Sequence, residues 1–428
     1  MKTHRPADAG ERAALVGLIT GPIRRADADR SLDELAGLAA AAGARVVLRV
    51  LQERERPDAA TFLGSGKLKS LAAACEETGA GLVVFDNELS PAQLRQIEAR
   101  LDLKVVDRTQ LILDIFAARA RTREGKLQVE LAQLKYLMPR LVGGSDWLSR
   151  LGGGIGTRGP GETKLEVDRR KIRQRIASLG REIDVVRQRR LQLRERRHKA
   201  AVPTVALVGY TNAGKTTLFN LLTGGSAVAS DALFVTLDPL VRRVRLPDRR
   251  ELLVSDTVGF IDRLPTTLVA AFRATLEEVA AADLLLHVID AASPGREHRI
   301  SAVRRTLEAV EAAEVPVLDV YNKCDLIEEA ERLRLQRQDP DALCISATTG
   351  LGRGELLDAI TARLALDVRR LVAQFDPADE ADRGRLAQVY RYGRVHQHVE
   401  HDGRVTIEAD VPTRLWSRLQ ASVGRADA

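Results

Sequence analysis

Apolar residues recur every seven positions in two stretches of the chain. The first stretch carries Leu127, Leu134 and Leu141 with Leu131 and Met138 between them; the second carries Leu165, Ile172, Leu179, Val186 and Leu193, with Ile176 and Ile183. This spacing is typical of the seam between packed helices. It predicts an antiparallel helical hairpin, whose second helix, over 163–198, would be roughly 50 Å long.

Shorter apolar runs predict strands before this hairpin. Strand-like runs at 45–50, 81–85 and 103–106 alternate with helix-like stretches at 31–42 and 91–101. Such alternation is typical of a small α/β domain.

Strands are also predicted after the hairpin. The apolar run 205–208 precedes a helix-like stretch, 217–222. Near the C-terminus, the runs 395–401 and 404–409 flank Asp402-Gly403, a pair that favours a β-hairpin turn.

The composition limits the class of protein. A chain of 428 residues is too long for one ordinary core. It contains no apolar run long enough to span a bilayer, and no signal-like apolar core follows the N-terminus. Cys75, Cys324 and Cys344 lack metal-ligand spacing, which fits reduced thiols. We expect a cytoplasmic monomer without a transmembrane segment.

The net charge of +7 is concentrated in the second hairpin helix, because residues 163–200 hold 14 basic and five acidic residues. Concentrated positive charge favours binding to a phosphate backbone. A solvated helical face is the alternative, and it is the commoner origin of a charge run.

A phosphate-binding loop follows the apolar run 205–208. Its glycines let backbone N–H groups turn toward phosphate oxygens at a helix N-terminus. Lys215 would reach the β- and γ-phosphates, and the Thr216 hydroxyl would ligate Mg²⁺. The nucleotide-binding candidates here are Gly209, Tyr210, Thr211, Asn212, Ala213, Gly214, Lys215, Thr216 and Thr217.

Guanine is the base that the later motifs predict. Asn322, Lys323 and Asp325 form an N-K-x-D motif after a strand-like run, where open α/β sheets bind ligands. The Asp325 carboxylate can accept two hydrogen bonds from guanine, and adenine lacks that donor pair. Ser346 and Ala347 form the S-A pair whose backbone typically faces guanine O6.

Two further segments predict the switch regions. Asp256 and Gly259 form a D-x-x-G motif, which supplies a carboxylate near Mg²⁺ and an N–H for the γ-phosphate. Thr236 is a candidate Mg²⁺ ligand in the first switch. With Lys215, Thr236 and Gly259 are the catalytic candidates. Phe260 stands where Ras-like proteins place a water-orienting glutamine, so we expect slow intrinsic hydrolysis that a partner accelerates.

These motifs define the expected fold class, an α/β protein built around a P-loop GTPase domain. The expected domains are a small N-terminal α/β domain (1–107), the helical hairpin with a glycine-rich loop at 143–161 (108–200), the GTPase domain (201–368) and a small C-terminal α+β domain (369–428).

The glycine-rich loop is a candidate RNA-binding tip, because it presents few side chains on a narrow backbone. A disordered connector is the alternative. On the first interpretation the RNA contacts are Trp147, Arg150, Gly153, Gly154, Gly156, Thr157, Arg158, Lys164, Arg169 and Arg170.

The segment 153–166, together with 209–217, 256–260 and 322–325, closely resembles the HflX family of ribosome-associated GTPases. The resemblance implies GTP and GDP as ligands with Mg²⁺, and binding to the 50S subunit and the 70S ribosome through rRNA. It further implies splitting or rescue of stalled 70S ribosomes, with the hairpin loop near the peptidyl transferase centre. No DNA partner is expected.

Several alternatives stay open at this point. Gly64-Ser65-Gly66-Lys67 suggests a second phosphate site, and hence an ATP-dependent RNA chaperone or helicase-like factor. A regulatory switch that binds a protein through the hairpin is another. Asn212 suggests K⁺ near the phosphates. His396, His398 and His401 invite a metal site, but no further ligand set accompanies them.

Overall fold

The computed structural model divides the described residues between two units. These residues are 10–21, 24–141, 164–199, 202–227, 233–246, 250–263, 278–365, 368–401, 403–412, 416 and 419. The first unit comprises those up to Val186 and the segment 233–237, and the second comprises the others. Among these residues, no helix is both long and apolar enough to cross a membrane.

A four-stranded sheet lies at the centre of the first unit. Its strands are β1 (Arg12–Ile19), β2 (Arg45–Glu53), β3 (Leu82–Phe85) and β4 (Lys104–Asp107), in the order β2-β1-β3-β4 and all parallel. Parallel neighbours need crossover connections, which α1 (Arg25–Ala41), α2 (Ser65–Thr78) and α3 (Pro91–Leu101) supply. The predicted strands and helices are confirmed, and β1 is an additional strand.

The segment Gly64-Ser65-Gly66-Lys67 forms the start of α2, with Gly64 as the N-cap residue. The Gly64 N–H donates to the side-chain oxygen of Gln52 at 3.0 Å. One N–H of this helix end is therefore already bonded within the protein. ATP binding here stays a prediction.

Three helices complete the first part of the chain: α4 (Arg108–Arg119), α5 (Arg123–Leu137) and α6 (Lys164–Lys199). Residues of the two predicted seams meet in one apolar cluster, formed by Leu127, Leu131, Leu134, Leu141, Ile172 and Leu179, with Met138, Ile176 and Ile183 beside it. The seven-residue repeat therefore predicted the packing of α5 against α6 correctly.

The segment 233–237 packs within the first unit. The Phe234 ring meets Phe116 edge to face, with ring centroids 4.7 Å apart. Phe234 has a φ of 57°, which is unusual for a residue with a side chain, and both Phe234 and Leu237 are buried. Thr236, the candidate Mg²⁺ ligand, therefore lies between two anchored apolar residues.

The second unit contains a six-stranded sheet ordered β10-β9-β8-β5-β7-β6, in which only β6 is antiparallel to its neighbour. Its strands are β5 (Thr204–Gly209), β6 (Leu240–Arg245), β7 (Glu251–Asp256), β8 (Leu284–Asp290), β9 (Val317–Asn322) and β10 (Leu343–Cys344). The described helices around it are α7 (Lys215–Thr223), α8 (Arg296–Ala309), α9 (Glu329–Gln338) and α10 (Arg353–Ala365). The carboxyl ends of β5, β7, β8 and β9 thus share one edge, where ligands of such sheets bind.

An antiparallel sheet of β11 (Val368–Phe375), β12 (Arg394–His401) and β13 (Arg404–Pro412) follows, with α11 (Glu380–Tyr392). β12 and β13 form the predicted hairpin. His396 contacts the Asp410 carboxylate at 2.6 Å, and His398 contacts the Tyr390 hydroxyl. Among the described residues no group of three or more metal-ligating side chains occurs, so these histidines have other partners.

We expect Leu179→Ala to destabilise the hairpin. Leu179 is 0% exposed in the seam, and removing such a side chain costs about 2–5 kcal/mol through lost burial and the cavity that remains. Urea unfolding of the full-length chain measures this. Val185, on the same helix, is 53% exposed, so Val185→Ala should change stability by less than about 0.5 kcal/mol. Equal effects of the two substitutions would contradict the packed seam.

Candidate nucleotide-binding site

The loop between β5 and α7 has a backbone that only glycine permits at two positions. Gly209 and Gly214 have φ values of 151° and 91°. A Cβ on Gly209 would lie 2.3 Å from the Val288 carbonyl oxygen, and one on Gly214 would lie 2.2 Å from the Asn322 side-chain nitrogen. The loop therefore passes close to its neighbours and leads directly into the N-terminus of α7, where a phosphate would bind.

Lys215, the first residue of α7, is buried beneath this loop. Its ammonium donates to the carbonyl oxygens of Gly209 and Tyr210, at 3.1 and 2.8 Å. Burial lowers the pKa of Lys215 to about 8, although the nearby Asp256 carboxylate opposes this shift. A phosphate in the loop would restore a full anionic partner to this cation.

Two oxygen donors lie beside the loop. The Thr216 hydroxyl donates to the Asp256 carboxylate at 2.8 Å, and Asp256 is fully buried at the end of β7. A hydroxyl, a carboxylate and phosphate oxygens are hard donors of the kind that Mg²⁺ prefers, so the residues fit this ion. Thr236 belongs to the other unit, and its role as a ligand stays a prediction.

The residues after Asp256 are bonded directly to the phosphate loop. The Thr211 N–H donates to the Phe260 carbonyl at 2.8 Å, and the Phe260 N–H donates to the Gly209 carbonyl at 3.1 Å. A Cβ on Gly259 would lie 2.9 Å from the Thr211 Cα, so a side chain there would require the backbone to shift. The Phe260 ring is 0% exposed and anchors this segment.

A polar cluster that the motifs did not predict surrounds Asp262. Its N–H donates to the Tyr210 hydroxyl at 2.7 Å, and its carboxylate contacts His298 and Arg305, each at 3.3 Å. The Arg299 guanidinium lies 5.2 Å from the centre of the Tyr210 ring. His298, Arg299 and Arg305 come from α8, far along the chain, and no short motif identifies them.

The base-recognition residues are joined to the phosphate loop through Asn322. Its buried amide donates to the Ala213 carbonyl at 2.8 Å and accepts from the Ala347 N–H at 2.9 Å. Lys323 has a φ of 64°, and its ammonium donates to the Asn212 carbonyl at 2.9 Å and the Asp290 carboxylate at 2.8 Å. Asp290 was not predicted, although its place at the end of β8 is a usable signal.

Asp325 lies in the short 3₁₀ helix Cys324–Leu326 and is exposed, so its carboxylate can accept hydrogen bonds from a base. Ser346 is buried, and its hydroxyl accepts from the Thr349 N–H at 3.2 Å. The structure thus brings the phosphate, metal and base candidates of the second unit to one edge of the sheet.

Three family models match most of the chain. They are described as GTP-binding GTPase N-terminal, over residues 29–117, GTP-binding GTPase Middle Region, over 119–197, and 50S ribosome-binding GTPase, over 204–323. The chain is 46% identical over 415 residues to GTPase HflX of Escherichia coli (strain K12), with 96% of each chain covered. The chain belongs to the HflX family of GTPases. It therefore binds guanine nucleotides and hydrolyses GTP.

A second HflX relative, from Caldanaerobacter subterraneus subsp. tengcongensis, is 45% identical, covering 96% of this chain and 93% of its own. Among solved structures, a GTP-binding protein from the archaeon Sulfolobus solfataricus in complex with GDP is 24% identical. That match covers 82% of this chain and 98% of the other, with a TM-score of 0.44.

The structure describes some of the remaining predicted site residues of this HflX-family chain, whereas others lie outside the described residues. Thr217 lies in the first turn of α7, and Asn212 is exposed in the loop with a φ of 58°. The predicted RNA contacts Trp147, Arg150, Gly153, Gly154, Gly156, Thr157 and Arg158 lie outside the described residues, as does the Lys164 side chain. The Arg169 guanidinium donates to the Leu141 carbonyl at 3.0 Å, so it joins the two hairpin arms.

The lowered pKa of Lys215 makes GDP affinity depend on pH. A bound phosphate raises this pKa again, so above pH 8 the free protein must take up a proton on binding, and affinity falls as pH rises. We expect up to about tenfold weaker binding per pH unit between pH 8 and 9. Titration calorimetry in buffers of different ionisation enthalpy measures the proton uptake.

Lys215→Arg is the control for this pH effect, because its guanidinium stays charged throughout the range. The affinity of this variant for GDP should therefore not show the part of the pH dependence that Lys215 causes in the wild type. Wild-type binding without proton uptake at pH 9 would contradict the assignment.

Proposed function

We propose that this GTPase binds the large ribosomal subunit through its hairpin and splits stalled 70S ribosomes when loaded with GTP. The observation that carries the proposal is a basic face of α6 that points away from the seam. The match of residues 204–323 to a family described as 50S ribosome-binding GTPase supports the same partner.

The basic face consists of Arg170, Arg173 and Arg181. Spacings of three and eight residues place them on one side of a helix, opposite the seam residues Ile172 and Leu179. All three are exposed. Guanidinium groups of this kind suit rRNA phosphates, which bind several cations at once and release counterions.

Other cations of α6 have a structural role. The Arg175 guanidinium forms two hydrogen bonds with the Glu130 carboxylate on α5, at 2.6 and 2.8 Å, and also lies near Glu182. Arg169 bonds to Leu141. The cations that bond to the first arm are therefore distinct from Arg173 and Arg181, which are exposed on the side of α6 opposite the seam.

In the nucleotide site, we assign the β- and γ-phosphates to Lys215 and the loop N–H groups, and Mg²⁺ to Thr216 and Asp256. Thr236 would add a further Mg²⁺ ligand and Gly259 an N–H for the γ-phosphate. Asp325 would recognise guanine. The bound ion would offset phosphate charge during hydrolysis.

Hydrolysis by the isolated protein should be slow, because the buried Phe260 side chain has no group that can orient water. Contact with the ribosome would supply or rearrange the missing group. GTP binding would then act before splitting, and hydrolysis would follow contact.

Sedimentation of 70S ribosomes tests the function. With the protein and a non-hydrolysable GTP analogue, we expect separate subunits, with the protein in the 50S fractions. Lys215→Ala should abolish this effect, because the variant lacks the ammonium group that binds the phosphates. Intact 70S particles with the protein at the top of the gradient would contradict the proposal.

Charge reversal at Arg173 and Arg181 tests the basic face. Arg173→Glu with Arg181→Glu should weaken 50S binding by at least about tenfold and lower the slope of log affinity against log salt by about two, roughly one for each lost phosphate contact. Filter binding at several salt concentrations measures both.

The matched control is Arg95→Glu with Arg100→Glu, two exposed positions on α3. This pair changes the net charge equally. If both double variants lose affinity to the same extent, general charge rather than the α6 face attracts the ribosome.

A further inference from the structure

Two cysteines lie side by side next to the base-recognition residues. Cys324 stands between Lys323 and Asp325, and Cys344 ends β10, two residues before Ser346. In the parallel pairing of β10 with β9, Cys344 lies opposite Tyr321. The Cys324 N–H donates to the Ile345 carbonyl at 3.0 Å, which fixes the two backbones together.

Cys324 belongs to an apolar cluster, and Cys344 packs against that cluster. Cys324 is 4% exposed, whereas Cys344 is partly exposed. The single S–H of Cys324 can donate either to the Tyr321 carbonyl, 3.2 Å away, or to the Cys344 sulfur. A thiolate on Cys344 is thus directly adjacent to a hydrogen-bond donor.

The surroundings make the two thiols unequal. A hydrogen bond from Cys324 lowers the pKa of Cys344, and the Arg332 guanidinium lowers it further, whereas burial and the Glu329 carboxylate oppose the shift. The same hydrogen bond, together with burial, raises the pKa of Cys324. Cys344 therefore has the character of an attacking thiolate, and Cys324 that of the thiol that resolves its oxidation product.

We propose that Cys324 and Cys344 form a peroxide-sensitive thiol pair, whose oxidation to a disulfide weakens binding of the guanine base. The inference rests on the proposed role of Asp325 in guanine recognition. It does not depend on ribosome binding.

The chemistry balances with one molecule of hydrogen peroxide. The Cys344 thiolate attacks a peroxide oxygen, the O–O bond breaks, and the leaving hydroxide takes up a proton to form water. The Cys324 sulfur then attacks the sulfenic sulfur, its S–O bond breaks, and hydroxide leaves as a second water with the Cys324 proton. Two thiols are oxidised by two electrons, and a dithiol reductant reverses the step.

The disulfide changes the geometry of the base site. Its sulfur atoms must lie about 2.05 Å apart, far closer than two hydrogen-bonded thiols. The Cys324 proton is lost, and with it the bond to the Tyr321 carbonyl. Asp325 follows Cys324 directly, so a shift at residue 324 displaces the carboxylate proposed to bind the base. The nearby Asn322 accepts from the Ala347 N–H, so the same shift also disturbs the loop on the base side.

The third cysteine is an internal control. Cys75 is 1% exposed in the apolar core of the first unit, and burial raises its pKa. An inert thiol of this kind should keep its proton and stay reduced while the pair reacts.

The experiment uses the full-length protein in reduced, peroxide-treated and re-reduced forms. Peptide mapping after alkylation should show a Cys324–Cys344 disulfide with Cys75 still alkylated. Affinity for fluorescent GDP should fall roughly tenfold on oxidation, the effect of weakening one charge-assisted hydrogen-bond pair, and recover with dithiothreitol.

Single substitutions separate the roles of the two thiols. Each variant is compared before and after peroxide treatment. Cys344→Ser should form no disulfide and keep its own affinity. Cys324→Ser should leave a sulfenic acid on Cys344 that dimedone traps. An unreactive Cys344, or a disulfide that leaves GDP affinity unchanged, overturns the inference. Weak GDP binding by the reduced wild type would instead overturn the nucleotide site itself.

Discussion

The buried amide of Asn322 joins the two halves of the nucleotide site. It donates to the phosphate loop at Ala213 and accepts from the base-side loop at Ala347, and the residue is only 2% exposed. Gly214 passes so close to this amide that no Cβ fits between them. Losing the amide would leave two buried backbone groups unpaired, each costing about 1–3 kcal/mol. The phosphate-binding residues and the base-binding residues are therefore held together by one buried side chain. A disturbance at residues 322–325 should affect the phosphate loop too.

The second constraint on the site is the backbone pairing of Phe260 with the phosphate loop. Bonds to Gly209 and Thr211 hold the residue after Gly259 in place, and the Asp262 N–H adds a third bond through the Tyr210 hydroxyl. The buried phenyl ring stabilises this arrangement, but it cannot orient water. Phe260 therefore anchors this switch without contributing to catalysis, and on the proposed mechanism the group that orients water would come from a rearrangement or from a partner.

Short motifs predicted the loop Gly209–Thr216, Asp256 and Asn322 because strand ends place these residues at one edge of the sheet. The seven-residue repeat predicted the helix pair because the repeat can be seen within each helix's own sequence. The packing of Phe234 on Phe116, the Asp262 cluster and the contact between Cys324 and Cys344 each join residues distant in the chain. Local patterns carry no information on such pairs. β1 has seven buried residues of eight, and its apolar run resembles those of β3 and β5, so this strand could have been predicted from the sequence.

Charge on α6 shows why a count of basic residues does not identify a binding surface. Arg169 and Arg175 lie among the basic residues of the stretch, yet both bond to the first hairpin arm or its carboxylates. The bidentate Arg175–Glu130 pair fixes the register of the two helices more than it adds stability, because exposed ion pairs contribute little. Arg173 and Arg181 are instead exposed on the side of α6 opposite the seam. On the proposed contact with rRNA, side chains held at a fixed spacing on a helix would lose less entropy on binding phosphates than side chains on a flexible segment.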